Sequence, residues 1–392
     1  MQELSQAQHV LLELLSKALF QKEVNSFCSD WKAVFREANV QKVLPLVYTA
    51  SKDCNIDAQL AGKAAKITKH NIAESANVYF AHFDLGVLLE QNAIPYVMMK
   101  GIASAAYYPK PELRVFGDVD CFVPYEAFQE ACEVLLANGF AFFKEGVKDT
   151  AFEKDGVLFE MHHGVRGTPK NDAGELLFQT LFSDLSETAK DYSDGKRSVK
   201  VTDDYHHGLI LLLHTLAHLT GPGIGLRHLC DWAVFESSFE NEAFKALFEK
   251  PLKEYGLWRF AQIFSLCATQ YLGASYRDWQ GEASEQLLNG LICDIMAAGD
   301  FGGKDSNRHR QIKYISDSDD VTVNKGSSLA QAKKALEKKA AVENKSKAAV
   351  VVEYIKNVLA GKRKPDSKKT LEDAAQRKAL YSEFHLFEKE PF

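Results

Sequence analysis

The stretch that most constrains the fold is residues 94–123, which read IPYVMMKGIASAAYYPKPELRVFGDVDCFV. Residues 94–99 form an apolar run with a proline near its start and a glycine just beyond its end, which is typical of a short buried strand. Gly101 tolerates any backbone angle and lets a ligand approach the main chain closely. Residues 102–108 predict a short helix closed by two prolines, and residues 115–123 predict a second strand. The order strand, turn, helix, strand indicates a mixed α and β core.

Two aspartates lie on the second of these predicted strands. Asp118 and Asp120 are two residues apart, so their side chains point to the same face with Cα atoms about 6.5 Å apart. Carboxylates that converge in this way can share one divalent ion or a pair of ions, and they are costly to bury among apolar neighbours unless a cation compensates them. The alternative is a solvated turn that leads into an ordinary edge strand, because such pairs are common on polar strand faces.

A later strand carries a candidate for a third acid. Residues 157–162 predict a strand that follows Asp155-Gly156, a strong hairpin signal. On this strand Glu160 and His162 share one face. If the strand lies beside the aspartate strand in register, Glu160 meets the pair; the alternative is an exposed strand residue. Because it shares the face of Glu160, His162 is the better candidate of two adjacent histidines for contact with a substrate.

The strand, turn, helix and Asp-x-Asp strand resemble the core of the DNA polymerase beta-type nucleotidyltransferase superfamily. More narrowly, residues 100–123 resemble a bacterial family of uncharacterised nucleotidyltransferases, whose pattern is a Lys-Gly turn, Tyr-Pro, Arg and then Asp-hydrophobic-Asp. Residues 221–232, GPGIGLRHLCDW, resemble a Gly-x-Gly-Leu-Arg…Asp-Trp motif that follows the core in that family. The resemblance of the core covers roughly residues 76–166.

The resemblance implies an enzyme that transfers a nucleoside monophosphate from an NTP donor to a hydroxyl acceptor with two Mg²⁺ (or Mn²⁺) ions. It implies that Asp118, Asp120 and Glu160 bind the metals and are the catalytic acids. No motif indicates the nucleotide base or the acceptor, which could be a small molecule, a protein or an RNA.

The resemblance also implies a nucleotide-binding set. Lys100, Gly101 and Arg114 would hold the triphosphate. An equal alternative for Arg114 is an ordinary surface charge just before a strand. The superfamily turn has Gly-Ser or Gly-Gly where this chain has Gly-Ile, so Lys100 or backbone N–H groups are expected to replace the serine. Arg227 offers a planar fork for a phosphate or carboxylate near the site. The alternative for it is a salt bridge within its own helix to Asp231, four residues later.

The length of the chain, 392 residues, is too great for one ordinary core. We predict an α+β protein with a helical N-terminal cap (residues 1–75), a small mixed-sheet core (76–202) and a helical C-terminal domain (203–392). A long helix is expected at residues 71–91, loops and a short helix at 167–203, and a loop at 300–320.

The composition, with 46% hydrophobic and 26% charged residues, is typical of a globular protein in solution. A net charge of −6 does not indicate a dedicated nucleic-acid binder. The seven cysteines are scattered without a Cys-x-x-Cys pair, and the first residues do not have the pattern of a secretion signal. Since no apolar run approaches the ~20 residues needed to cross a bilayer, we expect a cytoplasmic protein without a membrane partner.

Two other functions stay open at this point. The unusual phosphate turn could belong to a non-catalytic nucleotide-binding or regulatory module. The lysine-rich stretch at residues 333–369 could bind nucleic acid, although its interleaved alanines and apolar residues favour a solvated helix face. His214 and His218 have the spacing of a zinc pair, but without a His-Glu-x-x-His motif a buried, hydrogen-bonded pair is favoured.

Overall fold

The computed structural model describes residues 3–25, 28–146, 148–165, 167, 172–305, 307–315 and 368–388. Within these residues the protein is α+β, with a seven-stranded mixed sheet that is preceded and followed by helical regions. The lysine-rich stretch considered as a nucleic-acid surface lies, up to residue 367, outside the described residues. In the described ranges, no helix has both the length and the apolar character needed to cross a membrane.

Four helices open the chain: α1 (Gln6–Phe20), α2 (Trp31–Val40), α3 (Leu44–Ala50) and α4 (Ala58–Gln91). The structure corrects the expected start of α4 at Asn71. The helix begins at Ala58, where the carboxylate of Asp57 accepts a hydrogen bond from the backbone N–H of Leu60. Its first turns are largely exposed, so they lack the apolar stripe from which a helix is read in sequence.

Seven strands form one mixed sheet: β1 (Val97–Met98), β2 (Val119–Phe122), β3 (Ala141–Glu145), β4 (Asp149–Lys154), β5 (Val157–His162), β6 (Lys190–Ser193) and β7 (Ser198–Val201). Their spatial order is β3-β4-β5-β2-β1-β7-β6, with β2 parallel to β5 and antiparallel to β1. β1 and β2 are shorter than expected, so Asp118 lies just before β2 rather than within it. The hairpin β6–β7 corrects the expectation of loops in residues 167–203, and its inner strand β7 pairs in parallel with β1.

Three helices lie between strands: α5 (Gly101–Ala105), α6 (Tyr125–Ala137) and α7 (Asp172–Phe182). α6 ends at Ala137, and Gly139 just beyond it adopts a left-handed φ of 83°. Asp155 and Gly156 turn the β4–β5 hairpin with φ values of 52° and 76°, as their sequence predicts.

Seven further helices follow among the described residues: α8 (Asp204–Leu219), α9 (Leu226–Glu236), α10 (Asn241–Glu254), α11 (Trp258–Leu272), α12 (Glu285–Ala298), α13 (Arg308–Ile315) and α14 (Lys368–Ser382). α13 corrects the expectation of a loop over residues 300–320. Arg377 fixes α14 to the end of α8, because its Nη2 donates to the carbonyl oxygens of Leu219 at 2.9 Å and Gly221 at 3.0 Å.

Both faces of the sheet are buried. Val119 and Met161 belong to one hydrophobic core, which lies between the sheet and helices α4 and α6. Val97 and Phe122, on the opposite face, belong to a second core that also contains residues of α1, α3, α8, α9, α11 and α12. The first and the last helices therefore share a core, and α1 contacts both α3 and α11. The division into cap, core and helical domain stays a prediction, and α4 runs across its first boundary.

Glu236, the last residue of α9, is a buried carboxyl that couples stability to pH. It is 1% exposed, and Nε2 of Gln280 lies 3.4 Å from each of its oxygens. Burial raises the pKa of Glu236 from 4.5 to about 8, although Gln280 and Arg277 oppose the rise. Between these two values the folded chain holds a proton that the unfolded chain has released. Stability is therefore highest below the lower value and falls as the pH rises towards 8.

Replacement of Glu236 by glutamine is expected to remove this pH dependence, because an amide needs no proton to be neutral. We expect Glu236→Gln to increase the free energy of unfolding by about 4 kcal/mol at pH 8, and by less than about 1 kcal/mol near pH 5. Urea denaturation of both proteins at the two pH values measures the effect. Glu242→Gln, at a side chain 80% exposed, is the matched control. An equal gain at both pH values would contradict the prediction.

Candidate active site

The pairing of β2 with β5 brings two of the predicted acids together. Asp120 lies opposite Glu160, and Phe122 lies opposite His162. Because side chains alternate along a strand, Asp120, Glu160 and His162 share one face of the sheet. The register on which the prediction of a third acid depended is therefore present, while the catalytic role of Glu160 stays a prediction.

The polar atoms of these three side chains converge. Nε2 of His162 lies 2.8 Å from Oδ1 of Asp120 and 3.6 Å from Oε2 of Glu160. One ligand atom from each residue lies within 4.8 Å of the others, a spacing that a single metal ion can bridge. Over the described ranges, no other three or more His, Cys, Asp or Glu side chains converge in this way. Carboxylate oxygens and an imidazole nitrogen are suitable donors for a divalent cation.

Lys100 supplies a positive charge to this site. It immediately precedes α5, and its Nζ donates to Oδ1 of Asp120 over 2.6 Å from a buried position. Burial alone would raise the pKa of Asp120, but Lys100 and His162 outweigh it and hold that pKa well below its usual range. Asp120 is therefore an anion at neutral pH, and its Oδ1 accepts hydrogen bonds from both Lys100 and His162. The backbone of Lys100 has a φ of 49°, which is uncommon for a residue with a side chain.

Asp118 lies half-buried just before β2, outside the group of three converging side chains. Burial and the charge of Asp120 raise the pKa of Asp118 to about 7, while Lys100 opposes the rise. The predicted metal-binding acids thus repel one another in the protein alone. A cation bound between them would remove this repulsion.

Arg114 is buried in an ion pair, so the alternative of a surface charge is wrong. It is 4% exposed, and its Nε and Nη2 donate to the two oxygens of Asp231 at 2.8 and 2.7 Å. The hydroxyl of Tyr108 donates to the same carboxylate at 2.7 Å. Nη1 of Arg114 has no hydrogen-bond partner among the described residues. A contact from this atom to phosphate stays a prediction.

Arg227 lies on α9. The alternative considered for it, a salt bridge to Asp231 within the same helix, does not form, because that carboxylate is paired with Arg114. Nη1 of Arg227 donates to the carbonyl oxygen of Val115 at 3.4 Å, and its Nη2 donates to Oδ2 of Asp300 at 3.5 Å. Burial raises the pKa of Asp118, and the charge of Arg227 is one of those that oppose this rise. The first turn of α9 therefore directs positive charge towards the acids.

His82, on α4, is a buried residue at the site that the sequence analysis missed. Its Nδ1 donates to the carbonyl oxygen of Val78 at 2.8 Å, which leaves Nε2 as a hydrogen-bond acceptor. Nε2 has no hydrogen-bond partner in the described part of the chain, and it lies 3.6 Å from the position that a β-carbon on Gly101 would take. Burial lowers the pKa of His82 to about 4, so the ring is neutral. A histidine within a mostly apolar helix was the available signal.

His214 and His218 belong to an aromatic cluster. The pair is half-buried, with ring centroids 4.4 Å apart, and His228 of α9 stacks on His214 at 5.7 Å. Phe301 packs against the ring of His218 at 4.7 Å. These histidines do not form part of a converging metal-binding group among the residues described. The pair is thus more exposed than expected, and its spacing reflects ring packing.

The family of the chain follows from comparison with known proteins. A comparison with curated proteins gives no match. The sequence model of a protein family described as "Uncharacterised nucleotidyltransferase" matches residues 28–273. This range covers more than half of the chain and includes the acids, Lys100 and Arg227. The chain therefore belongs to the family of uncharacterised nucleotidyltransferases.

Proposed function

We propose that the protein transfers a nucleoside monophosphate from an NTP to a hydroxyl group of an acceptor by a two-metal mechanism. The observation that carries the proposal is the register of β2 and β5, which sets Asp120 directly beside Glu160 with Asp118 two residues away. Membership of the family supports nucleotidyl transfer in general. The acceptor, the donor base and the participation of two ions belong to the proposal.

The residues present fit a divalent cation. Hard ions such as Mg²⁺ bind carboxylate oxygens. The negative charges of Asp118 and Asp120 repel each other, and a bound cation would remove this repulsion. We propose that Asp118, Asp120 and Glu160 hold Mg²⁺ or Mn²⁺. Bound divalent ions supply Lewis acidity at the α-phosphate and lower the pKa of the acceptor hydroxyl. Glu160, which is partly exposed, can instead accept the proton of that hydroxyl.

Basic groups around the acids would bind the triphosphate. Lys100 can exchange its contact with Asp120 for a phosphate oxygen once metal neutralises that carboxylate. Arg227 and Nη1 of Arg114, an atom without a hydrogen-bond partner within the described ranges, offer further donors for the charge that develops on departing pyrophosphate. The backbone N–H of Gly101 would contribute a further donor, while the position that a β-carbon there would take lies 3.3 Å from the ring of Phe116.

A non-catalytic nucleotide-binding module is the second candidate. The observation in its favour is the 2.6 Å contact between Lys100 and Asp120, because an ammonium group fixed there compensates the carboxylate without any metal. Such a protein would bind nucleotide without releasing pyrophosphate. The two candidates therefore differ in a measurable product.

The test is a pyrophosphate-release assay on the purified protein with each of the four common NTPs, Mg²⁺ or Mn²⁺, and mixtures of small hydroxyl compounds, proteins and RNA. We expect release with one or more NTPs, loss of release with a chelator, and none from an analogue whose α–β bridging oxygen is a methylene group. Metal-dependent thermal stabilisation by nucleotides without release from any mixture would support the binding module instead.

A further inference from the structure

We propose that His162 is a direct nitrogen ligand of the bound metal, and that it makes the site select a first-row transition ion such as Mn²⁺ over Mg²⁺. The proposal rests on the proposed metal site, but it does not require turnover. It gives His162 a different role from the substrate contact predicted from sequence.

The distances suit coordination to one ion. Neighbouring ligand atoms of an octahedral ion with bonds of about 2.1 Å lie about 3.0 Å apart. The separations from Nε2 of His162, 2.8 Å to Asp120 and 3.6 Å to Glu160, lie on either side of that value. Small side-chain rotations are therefore enough to bring the three atoms onto one ion.

The position of His162 is constrained. It is 1% exposed at the end of β5, and backbone pairing with β2 fixes the strand that carries it. The same oxygen of Asp120 that accepts from His162 also accepts from Lys100. A cation with two carboxylate ligands would take over the neutralising role of Lys100. Nε2 of His162 would give up the proton that it donates to Asp120 and would bind the ion through its lone pair, with the remaining proton of the neutral ring on Nδ1.

The donor set determines the selectivity. Mg²⁺ is a hard ion that keeps oxygen ligands and water, whereas divalent first-row transition ions also bind imidazole nitrogen, with affinities that increase from Mn²⁺ along the series. An oxygen-only site formed by carboxylates would accept Mg²⁺ and Mn²⁺ alike. An imidazole at the third position shifts the preference towards ions that gain from a nitrogen donor.

The experiment uses the nucleotide-free protein with Mn²⁺ or Mg²⁺ as the probe. Titration calorimetry measures both affinities, and electron spin-echo envelope modulation detects nitrogen bound directly to Mn²⁺. We expect wild type to bind Mn²⁺ at least about tenfold more tightly than Mg²⁺ and to show directly bound nitrogen. His162→Gln, which keeps a hydrogen-bond donor for Asp120, is expected to lose the nitrogen signal and to weaken Mn²⁺ binding about tenfold, with less than about threefold change for Mg²⁺.

His163→Gln is the matched control, since its ring packs against Phe128 at 4.7 Å and Tyr125 at 5.5 Å instead of the acids. Its metal affinities and nitrogen signal should equal those of wild type. Equal affinities of wild type for the two ions, no directly bound nitrogen in wild type, or a nitrogen signal that persists in His162→Gln would each overturn the proposal. Pyrophosphate release would still test the proposed function separately: release without nitrogen ligation defeats only this inference, and nitrogen ligation without release defeats only the function.

Discussion

Replacement of Asp118 by asparagine is expected to lower pyrophosphate release at least about 10³-fold, since loss of a metal ligand removes several kcal/mol of stabilisation from the transition state. The same change should leave the metal-free protein as stable as wild type or more stable. Asp118 lies in a half-buried position beside the charge of Asp120, and an amide in its place relieves the repulsion between the two carboxylates. Loss of activity and loss of folding are therefore predicted to separate in this variant.

Two measurements check this expectation: the initial rate of pyrophosphate release at saturating NTP, and the melting temperature in the presence of a chelator. Glu153→Gln is the matched control, because it likewise turns a carboxylate into an amide, at an exposed position of β4, which β5 separates from β2. It should alter neither quantity. A release rate for Asp118→Asn within about tenfold of wild type would remove Asp118 from the metal site.

Replacement of Asp231 by asparagine is expected to destabilise the protein by about 3–5 kcal/mol, because it leaves the guanidinium of Arg114 buried without a counter-charge. The pair is almost fully buried and doubly hydrogen-bonded, with side chains 3% and 8% exposed. The hydroxyl of Tyr108 would also lose its charged acceptor. Urea denaturation at neutral pH measures the loss.

Two further variants test whether the loss of stability comes from the buried, unpaired charge. Asp53→Asn breaks an ion pair with Lys17 at a side chain 87% exposed, and it should cost no more than about 1 kcal/mol. The double replacement Arg114→Met/Asp231→Leu removes both buried charges, and it should recover most of the stability lost in Asp231→Asn. If the double variant folds but binds nucleotide much more weakly than wild type, the proposed phosphate contact of Arg114 gains support. If Asp231→Asn is no more destabilising than Asp53→Asn, the ion pair does not hold the fold as inferred.

The parts of the site that could be predicted from sequence are those whose positions depend on local pattern and on the alternation of side chains along a strand. The Asp-Gly turn sets the β4–β5 hairpin, and alternation along β5 sets Glu160 and His162 on one face. The parallel register of β2 and β5 then brings Asp120 and Glu160 together, as the prediction of a third acid required. The mixed sheet and the helical region that follows it were also predicted, and both are present among the described residues.

Partners far apart in the sequence could not be predicted in this way. Arg114 and Asp231 are 117 residues apart, and the spacing of Arg227 and Asp231 offered, as an alternative, a pair that does not form. β6 resembles a loop because its residues are polar and mostly exposed, and in β7 two buried valines alternate with polar residues over only four positions. β7 instead depends on its backbone pairing with β1, a contact that no local pattern reveals.

The carboxylate of Asp231 limits which parts of the chain can be exchanged for those of another protein. It lies on α9, beyond the proposed boundary at residue 203, while Tyr108 and Arg114, which it holds, lie between the first two strands. A chimaera that joined this sheet to a foreign helical half would leave that arginine unpaired unless the new half supplied an equivalent acid in the same place. Exchange of either half for a foreign one is therefore expected to preserve the fold only when a carboxylate remains in this place.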